Sequence, residues 1–74
     1  MSNTDIIHLK MTGDITEWLI GRYLNGIRSD LAHTNYIIRV VKINSKPLIV
    51  TSDFRTDRIN LEVNRGVIIK AYIG

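Results

Sequence analysis

The chain predicts an α+β fold: one helix packed on a small mixed β-sheet, with a long exposed loop between a parallel strand pair and a C-terminal antiparallel hairpin. Three observations carry this. Leu24, Ile27 and Leu31 recur at the spacing of one helix face. Three runs rich in β-branched residues, at 36–43, 58–64 and 67–73, read as strands. The first two runs are separated by roughly 14 residues, more than a hairpin loop uses and enough for a crossover between parallel strands.

In chain order, residues 1–15 form an N-terminal arm ahead of a domain over 16–74. Within the arm, Ile7-His8-Leu9-Lys10-Met11 alternates as a short edge strand or ordered arm would, and Thr12-Gly13-Asp14 is a turn signal. Trp18, the only tryptophan, is a candidate core anchor. Gly21 punctuates the chain before a helix at about 22–33, which closes at His33-Thr34-Asn35. Gly26 within that helix costs about 1 kcal/mol relative to alanine, so the helix depends on tertiary packing.

The strand at Tyr36–Ile43 is apolar enough to be buried on at least one face. Asn44-Ser45-Lys46-Pro47 is a loop signal, and Leu48-Ile49-Val50-Thr51 is extended. The strand from Arg58 to Asn64 places Ile59, Leu61 and Val63 on one face and Asn60, Glu62 and Asn64 on the other. Asn64-Arg65-Gly66 is a turn in which Gly66 can supply a positive φ. Val67–Ile73 is the last strand, followed by Gly74.

Composition bounds the function. A chain of 74 residues is one domain with a small core. Its 45% hydrophobic and 23% charged residues are those of a globular protein. The absence of cysteine excludes disulfides and thiolate metal sites. No signal-peptide pattern opens the sequence and no window approaches the ~20 apolar residues of a membrane span, so the expectation is a soluble cytoplasmic protein. A net charge of +3 admits nucleic-acid binding, but Arg22, Arg28, Arg39, Lys42, Arg55, Arg58, Arg65 and Lys70 are interleaved with acids. They read as a solvated surface.

Little chemistry is available for catalysis. The glycines are isolated, so no loop cradles a phosphate, and His8 and His33 lack spaced partners for a metal. Ser52 has no histidine nearby in sequence. Asp53 and Asp57 flank Arg55 and precede Arg58, which reads as ion pairing rather than a catalytic carboxylate pair. The expectation is a non-enzyme without cofactor or metal. What remains is the stretch Pro47–Arg58, an extended segment whose polar groups are answered by arginines. Such a segment can enter a protease in the backbone geometry of a substrate and inhibits if it is held rigid. If one bond is cut, a held loop keeps the new amine beside the acyl-enzyme, so religation competes with hydrolysis.

At these residues the sequence resembles the potato inhibitor I family of serine-protease inhibitors. Thr16-Glu17-Trp18 and Leu19-Ile20-Gly21 resemble the family's opening tryptophan and the segment before its helix. Val50-Thr51-Ser52-Asp53-Phe54-Arg55-Thr56-Asp57-Arg58-Ile59 resembles its core pattern V-T-x-(E/D)-(Y/F/L)-R-x-(D/N)-R-V. Gly66-Val67-Ile68 and Ile73-Gly74 resemble its last hairpin and terminal glycine. The similarity spans about residues 16–74.

The resemblance implies a protease-binding loop of Ile49, Val50, Thr51, Ser52, Asp53, Phe54 and Arg55, with loop support from Arg58, Asn60 and Gly74. The scissile bond would be Ser52–Asp53, with Ser52 in the primary specificity pocket and Ile49 in an outer apolar subsite. Thr51 and Asp53 would bond to supporting arginines beneath the loop, of which Arg58 matches one. The small Ser52 implies a subtilisin- or elastase-like serine protease as partner, met by a monomer. The second supporting arginine of the pattern falls at Asn60, which resembles the microbial elastase-inhibitor branch, and Lys46-Pro47-Leu48 replaces a glycine-rich approach to the loop. The alternatives are a non-inhibitory interaction module on the same fold and a small basic nucleic-acid-binding protein.

Overall fold

The computed structural model describes residues 15–74. Along the chain run α1 (Ile15–Leu19), α2 (Leu24–Leu31), β1 (Ile37–Ile43), β2 (Lys46–Pro47), β3 (Arg58–Asn64) and β4 (Val67–Ile73). The strands form one sheet in the order β2-β1-β3-β4. β1 and β3 are parallel, and the other two pairings are antiparallel. This is the α+β architecture the sequence predicts, with the crossover joining the parallel pair. The alternation at Ile7–Met11 and the turn at Thr12–Asp14 lie outside the described residues. Ile15, grouped by sequence with the arm, opens α1 and is buried.

The core is one cluster of Ile15, Leu19, Ile27, Leu31, Ile59, Leu61, Val63 and Ile68. Both helices and the two central-to-edge strands β3 and β4 supply it. Each such side chain contributes about 1.5–3 kcal/mol by leaving water, which makes β3, with three of them, the strand the fold depends on most. Trp18 packs at the rim of this cluster rather than inside it. Its ring lies 4.0 Å beneath the Arg22 guanidinium, whose Nε donates to the Trp18 carbonyl at 2.7 Å.

Three local features differ from the sequence reading. Two helices form instead of one, because residues 15–19 coil into a short helix that buries Ile15 and Leu19. The second helix starts at Leu24 rather than 22. Gly21 donates to the Ile68 carbonyl at 2.8 Å and Ile68 donates to the Arg22 carbonyl at 2.9 Å, so this backbone is committed to the edge of β4. Tyr23 consequently stays extended, at φ −79 and ψ 136, and bridges Val67. The helix ends at Leu31, whose carbonyl accepts the Thr34 hydroxyl at 2.8 Å and the Thr34 amide at 3.0 Å.

The third difference is β2. Asn44 and Ser45 take φ of 49 and 70, the left-handed pair of a type I′ turn, and fold Lys46-Pro47 back on Ile43 and Lys42. Proline is tolerated there because β2 is the outermost strand and needs no outward N–H. A matching turn joins β3 to β4, with Arg65 at φ 51 and Gly66 at φ 81. Asn44 Oδ1 accepts the Arg65 amide at 2.7 Å and ties the two turns together.

Register decides what lies under the crossover. Arg39 stands beside Asn60, and Asn60 beside Tyr72. A bulge between Val40 and Lys42 then matches Lys42 to Glu62, which is itself matched to Lys70. Arg39, Asn60, Lys42 and Glu62 therefore share the sheet face opposite the core. The sequence assigns Asn60 to this face correctly, but Asn60 is only 1% exposed, because the crossover covers it.

Candidate functional site

The crossover from Leu48 to Asp57 is pinned at its ends by main-chain bonds. The Leu48 amide donates to the Val41 carbonyl at 2.9 Å, and the Ile37 amide donates to the Asp57 carbonyl at 2.8 Å. Between Leu48 and Arg55, no loop backbone group bonds to another backbone group among the described residues. The Arg55 amide then reaches the Gly74 carbonyl at 3.2 Å. Side chains rising from the sheet hold the intervening main chain.

Arg58, at the start of β3, is 8% exposed and makes three contacts. Its Nη2 donates to the Asp53 carbonyl at 2.6 Å, its Nη1 reaches Asp53 Oδ2 at 3.4 Å, and its Nε donates to the Gly74 carbonyl at 3.0 Å. The Gly74 amide returns to the Arg58 carbonyl at 3.0 Å. A planar fork suits this task, since its donors diverge at fixed angles toward separate acceptors.

Arg39 holds the other side of the loop, from β1. Its Nη1 donates to the Thr51 carbonyl and to Thr51 Oγ1, each at 3.1 Å, and its Nε donates to Asn60 Oδ1 at 2.7 Å. The Thr51 hydroxyl in turn donates to Asp53 Oδ1. Sequence reasoning missed Arg39, treating it as one of several scattered surface charges. The family resemblance places a second supporting arginine at position 60, where this chain has the neutral Asn60. The arginine lies one strand over, beside Asn60 in the parallel register. Pairing the two strands in register was the signal that could have found it.

Ser52 sits between these two anchored residues. It is exposed and makes no hydrogen bond among the described residues. Ile49 is fully exposed and Phe54 is 71% exposed, while Leu48 and Val50 are each a little over two-fifths exposed. Four apolar side chains in one exposed loop of so small a protein are the kind of patch that marks an interaction surface. Gly74 lies beneath Phe54, where a Cβ would approach Asn60 Nδ2 at 3.0 Å and the Phe54 ring at 3.8 Å.

The charges of the site are paired. The Thr51 hydroxyl and, after it, the Arg58 guanidinium hold the Asp53 carboxyl below its ordinary value. Arg55 and Asp57 form a bidentate pair with both bonds at 2.9 Å, which lowers the Asp57 carboxyl and raises the Arg55 guanidinium. Away from the loop, Lys42 and Lys70 both reach Glu62, at 3.8 and 3.9 Å, so the basic residues of the open sheet face share an acid. Among the described residues, no three His, Cys, Asp or Glu converge to hold a metal ion, and no helix is long and apolar enough to cross a membrane. A shallow depression of about 190 Å³ lined by Arg28, Leu31, Ala32, Tyr36 and Ile38 shares no residue with the loop.

The arrangement is therefore a stretch of exposed main chain fixed on both sides of one serine by guanidinium groups from two neighbouring strands. No protein-family model, curated protein or solved structure matches the chain.

Proposed function

We propose that the chain inhibits a serine protease by presenting Ile49–Arg55 as a substrate-like loop, with Ser52–Asp53 as the reactive bond, and that it belongs with the potato inhibitor I family it resembles. One observation carries this reading. The carbonyls on either side of Ser52, those of Thr51 and Asp53, each accept an arginine, at 3.1 and 2.6 Å, while Ser52 itself is exposed and makes no hydrogen bond among the described residues. Ordering a flexible segment costs about 1–2 kcal/mol per residue, and a loop held before contact avoids much of that cost on binding.

The chemistry follows from the hold. The protease nucleophile attacks the Ser52 carbonyl carbon, and the Ser52–Asp53 C–N bond breaks as the Asp53 nitrogen takes a proton. Arg58, bonded to the Asp53 carbonyl, keeps that amine at the acyl carbon, where it can displace the enzyme and re-form the bond. The small Ser52 suits the primary pocket of a subtilisin- or elastase-like enzyme, with Ile49 free to enter an apolar subsite and Phe54 available beyond the reactive bond.

The test is an inhibition assay of the purified chain against subtilisin, elastase and chymotrypsin. Saturable inhibition of a subtilisin- or elastase-like enzyme, with slow cleavage at Ser52–Asp53, is the expected result. No inhibition of any of the three at micromolar concentration would overturn the reading.

A further inference from the structure

Resting on the inhibitor reading, we infer that the two arginines divide the reactive bond between them: Arg39 positions its acyl side, Arg58 its amine side, and the Asn60 carboxamide commits Arg39 to that task. The hydrogen bonds divide by side, and one long ion pair, Arg39 to Asp53, crosses between them. Arg39 bonds Thr51 twice and stands 3.9 Å from the nearer Asp53 carboxylate oxygen. Arg58 bonds Asp53 and Gly74, and none of its bonds reaches Thr51. The two halves are joined directly by the Thr51 hydroxyl and Asp53 carboxylate, a side-chain link that survives cleavage of the peptide.

Asn60 gives Arg39 its direction. A buried carboxamide oxygen takes the Nε edge of the guanidinium at 2.7 Å, which turns Nη1 toward the Thr51 carbonyl. A lysine at position 39 offers one point charge and cannot satisfy both acceptors in that geometry. Asn60 is therefore a relay between sheet and loop, and the neutral residue leaves room for an arginine from the adjacent strand.

The two arginines then act at different moments. Loss of Arg39 leaves Thr51 and the residues before it unheld when the loop docks, so affinity falls. Loss of Arg58 frees the Asp53 amine once the bond is cut, so water reaches the acyl-enzyme before religation and the inhibitor is consumed.

Two measurements on Arg39→Ala, Arg39→Lys, Asn60→Ala and Arg58→Ala test this. The first is ¹⁵N relaxation of the loop amides in the free protein. Arg39→Ala, Arg39→Lys and Asn60→Ala are expected to mobilise Val50–Ser52 and leave Asp53–Arg55 as in the parent chain, and Arg58→Ala to do the reverse. The second is Ki together with the rate of loop cleavage, using subtilisin. Arg39→Ala should raise Ki about tenfold or more, the effect of losing a charge-assisted hydrogen bond, while Arg58→Ala should chiefly speed cleavage.

Equal mobilisation of both sides by either variant, or full retention of order and Ki in Arg39→Lys, would overturn the inference. If Arg58→Ala does not fold, the Arg39 arm still decides: mobility spreading to Asp53–Arg55 in Arg39→Ala defeats the division. A parent chain that inhibits nothing but shows the separated relaxation pattern defeats the inhibitor reading and leaves the division of the loop standing.

Discussion

Arg39 on β1 and Asn60 on β3 are register partners across the parallel pair, and the Arg39 Nε donates to Asn60 Oδ1 at 2.7 Å. Together with the Arg39 Nη1 bonds to Thr51, it connects the buried Asn60 carboxamide to the exposed loop main chain. Asn60→Ala removes the acceptor and leaves a half-buried guanidinium edge without its partner. The expected loss of stability is about 1–3 kcal/mol, the cost of an unmet buried donor. Urea unfolding of the two chains checks it. A difference below a few tenths of a kcal/mol would mean that Arg39 is held by Thr51 alone.

Much of the fold could be read from sequence where periodicity was long enough to measure. β3 falls on the residues its alternation marks and β4 on its run rich in β-branched residues, with a two-residue turn fixing the ends between them. α1 and β2 did not show. Five residues span less than two helical turns, and two residues carry no alternation at all. The sequence extends the second helix by two residues at each end, because nothing local reveals that Gly21–Tyr23 are bound to the edge of β4 or that Thr34 donates to the Leu31 carbonyl. The site divides in the same way. Arg58 and Asp53 are five residues apart and were legible as a pair, whereas Arg39 meets Thr51 and Asn60 at separations of 12 and 21. Contacts of that range are set by the parallel register, which no short motif encodes.

Acid should loosen the loop. The Asp53 carboxyl is held below its ordinary value of 3.8, first by the Thr51 hydroxyl and then by Arg58. A depressed carboxylate stabilises the folded loop fully above the unfolded value, and the contribution is lost as pH falls through the lower folded value. Loop order should therefore be constant from neutral pH down to about pH 5 and decline below 3.8. NMR titration of the Asp53 carboxyl and the Thr51–Phe54 amides measures this. Asp57 titrates low as well, through Arg55, so Asp53→Asn is the control that must abolish the Asp53-linked amide shifts. An Asp53 carboxyl that titrates at or above 3.8 would refute the prediction.

Two glycines should resist alanine for different reasons. Gly66 has φ of 81 and nothing within 4 Å of an added Cβ, so Gly66→Ala costs about 1 kcal/mol through backbone strain alone. At Gly74 the obstacle is space, because a Cβ would stand 3.0 Å from Asn60 Nδ2. Asn60 is buried and its other atom is engaged by Arg39, so it has little freedom to withdraw. Gly74→Ala should cost about 1–3 kcal/mol as overpacking and shift the Arg39 Nε resonance, whereas Gly66→Ala should leave that resonance in place. Thermal melts with ¹⁵N spectra of both variants separate the two causes.

The primary residue should be exchangeable without disturbing its support. Ser52 is exposed and makes no hydrogen bond among the described residues, so Ser52→Leu should alter stability by less than about 0.5 kcal/mol. Its effect should fall on recognition. A leucine fills a large apolar primary pocket that serine leaves empty, and burying that side chain is worth about 1.5–3 kcal/mol, or roughly ten- to hundredfold in Ki. Ser52→Leu is thus expected to create or strengthen inhibition of chymotrypsin while Tm stays within about 4 °C of the parent. Ile49→Ser, at a fully exposed position three residues earlier, should weaken inhibition of a subtilisin-like enzyme and leave Tm unchanged. If Ser52→Leu shifts Tm as much as Asn60→Ala does, Ser52 belongs to the scaffold, and the reactive bond must be sought elsewhere in the loop.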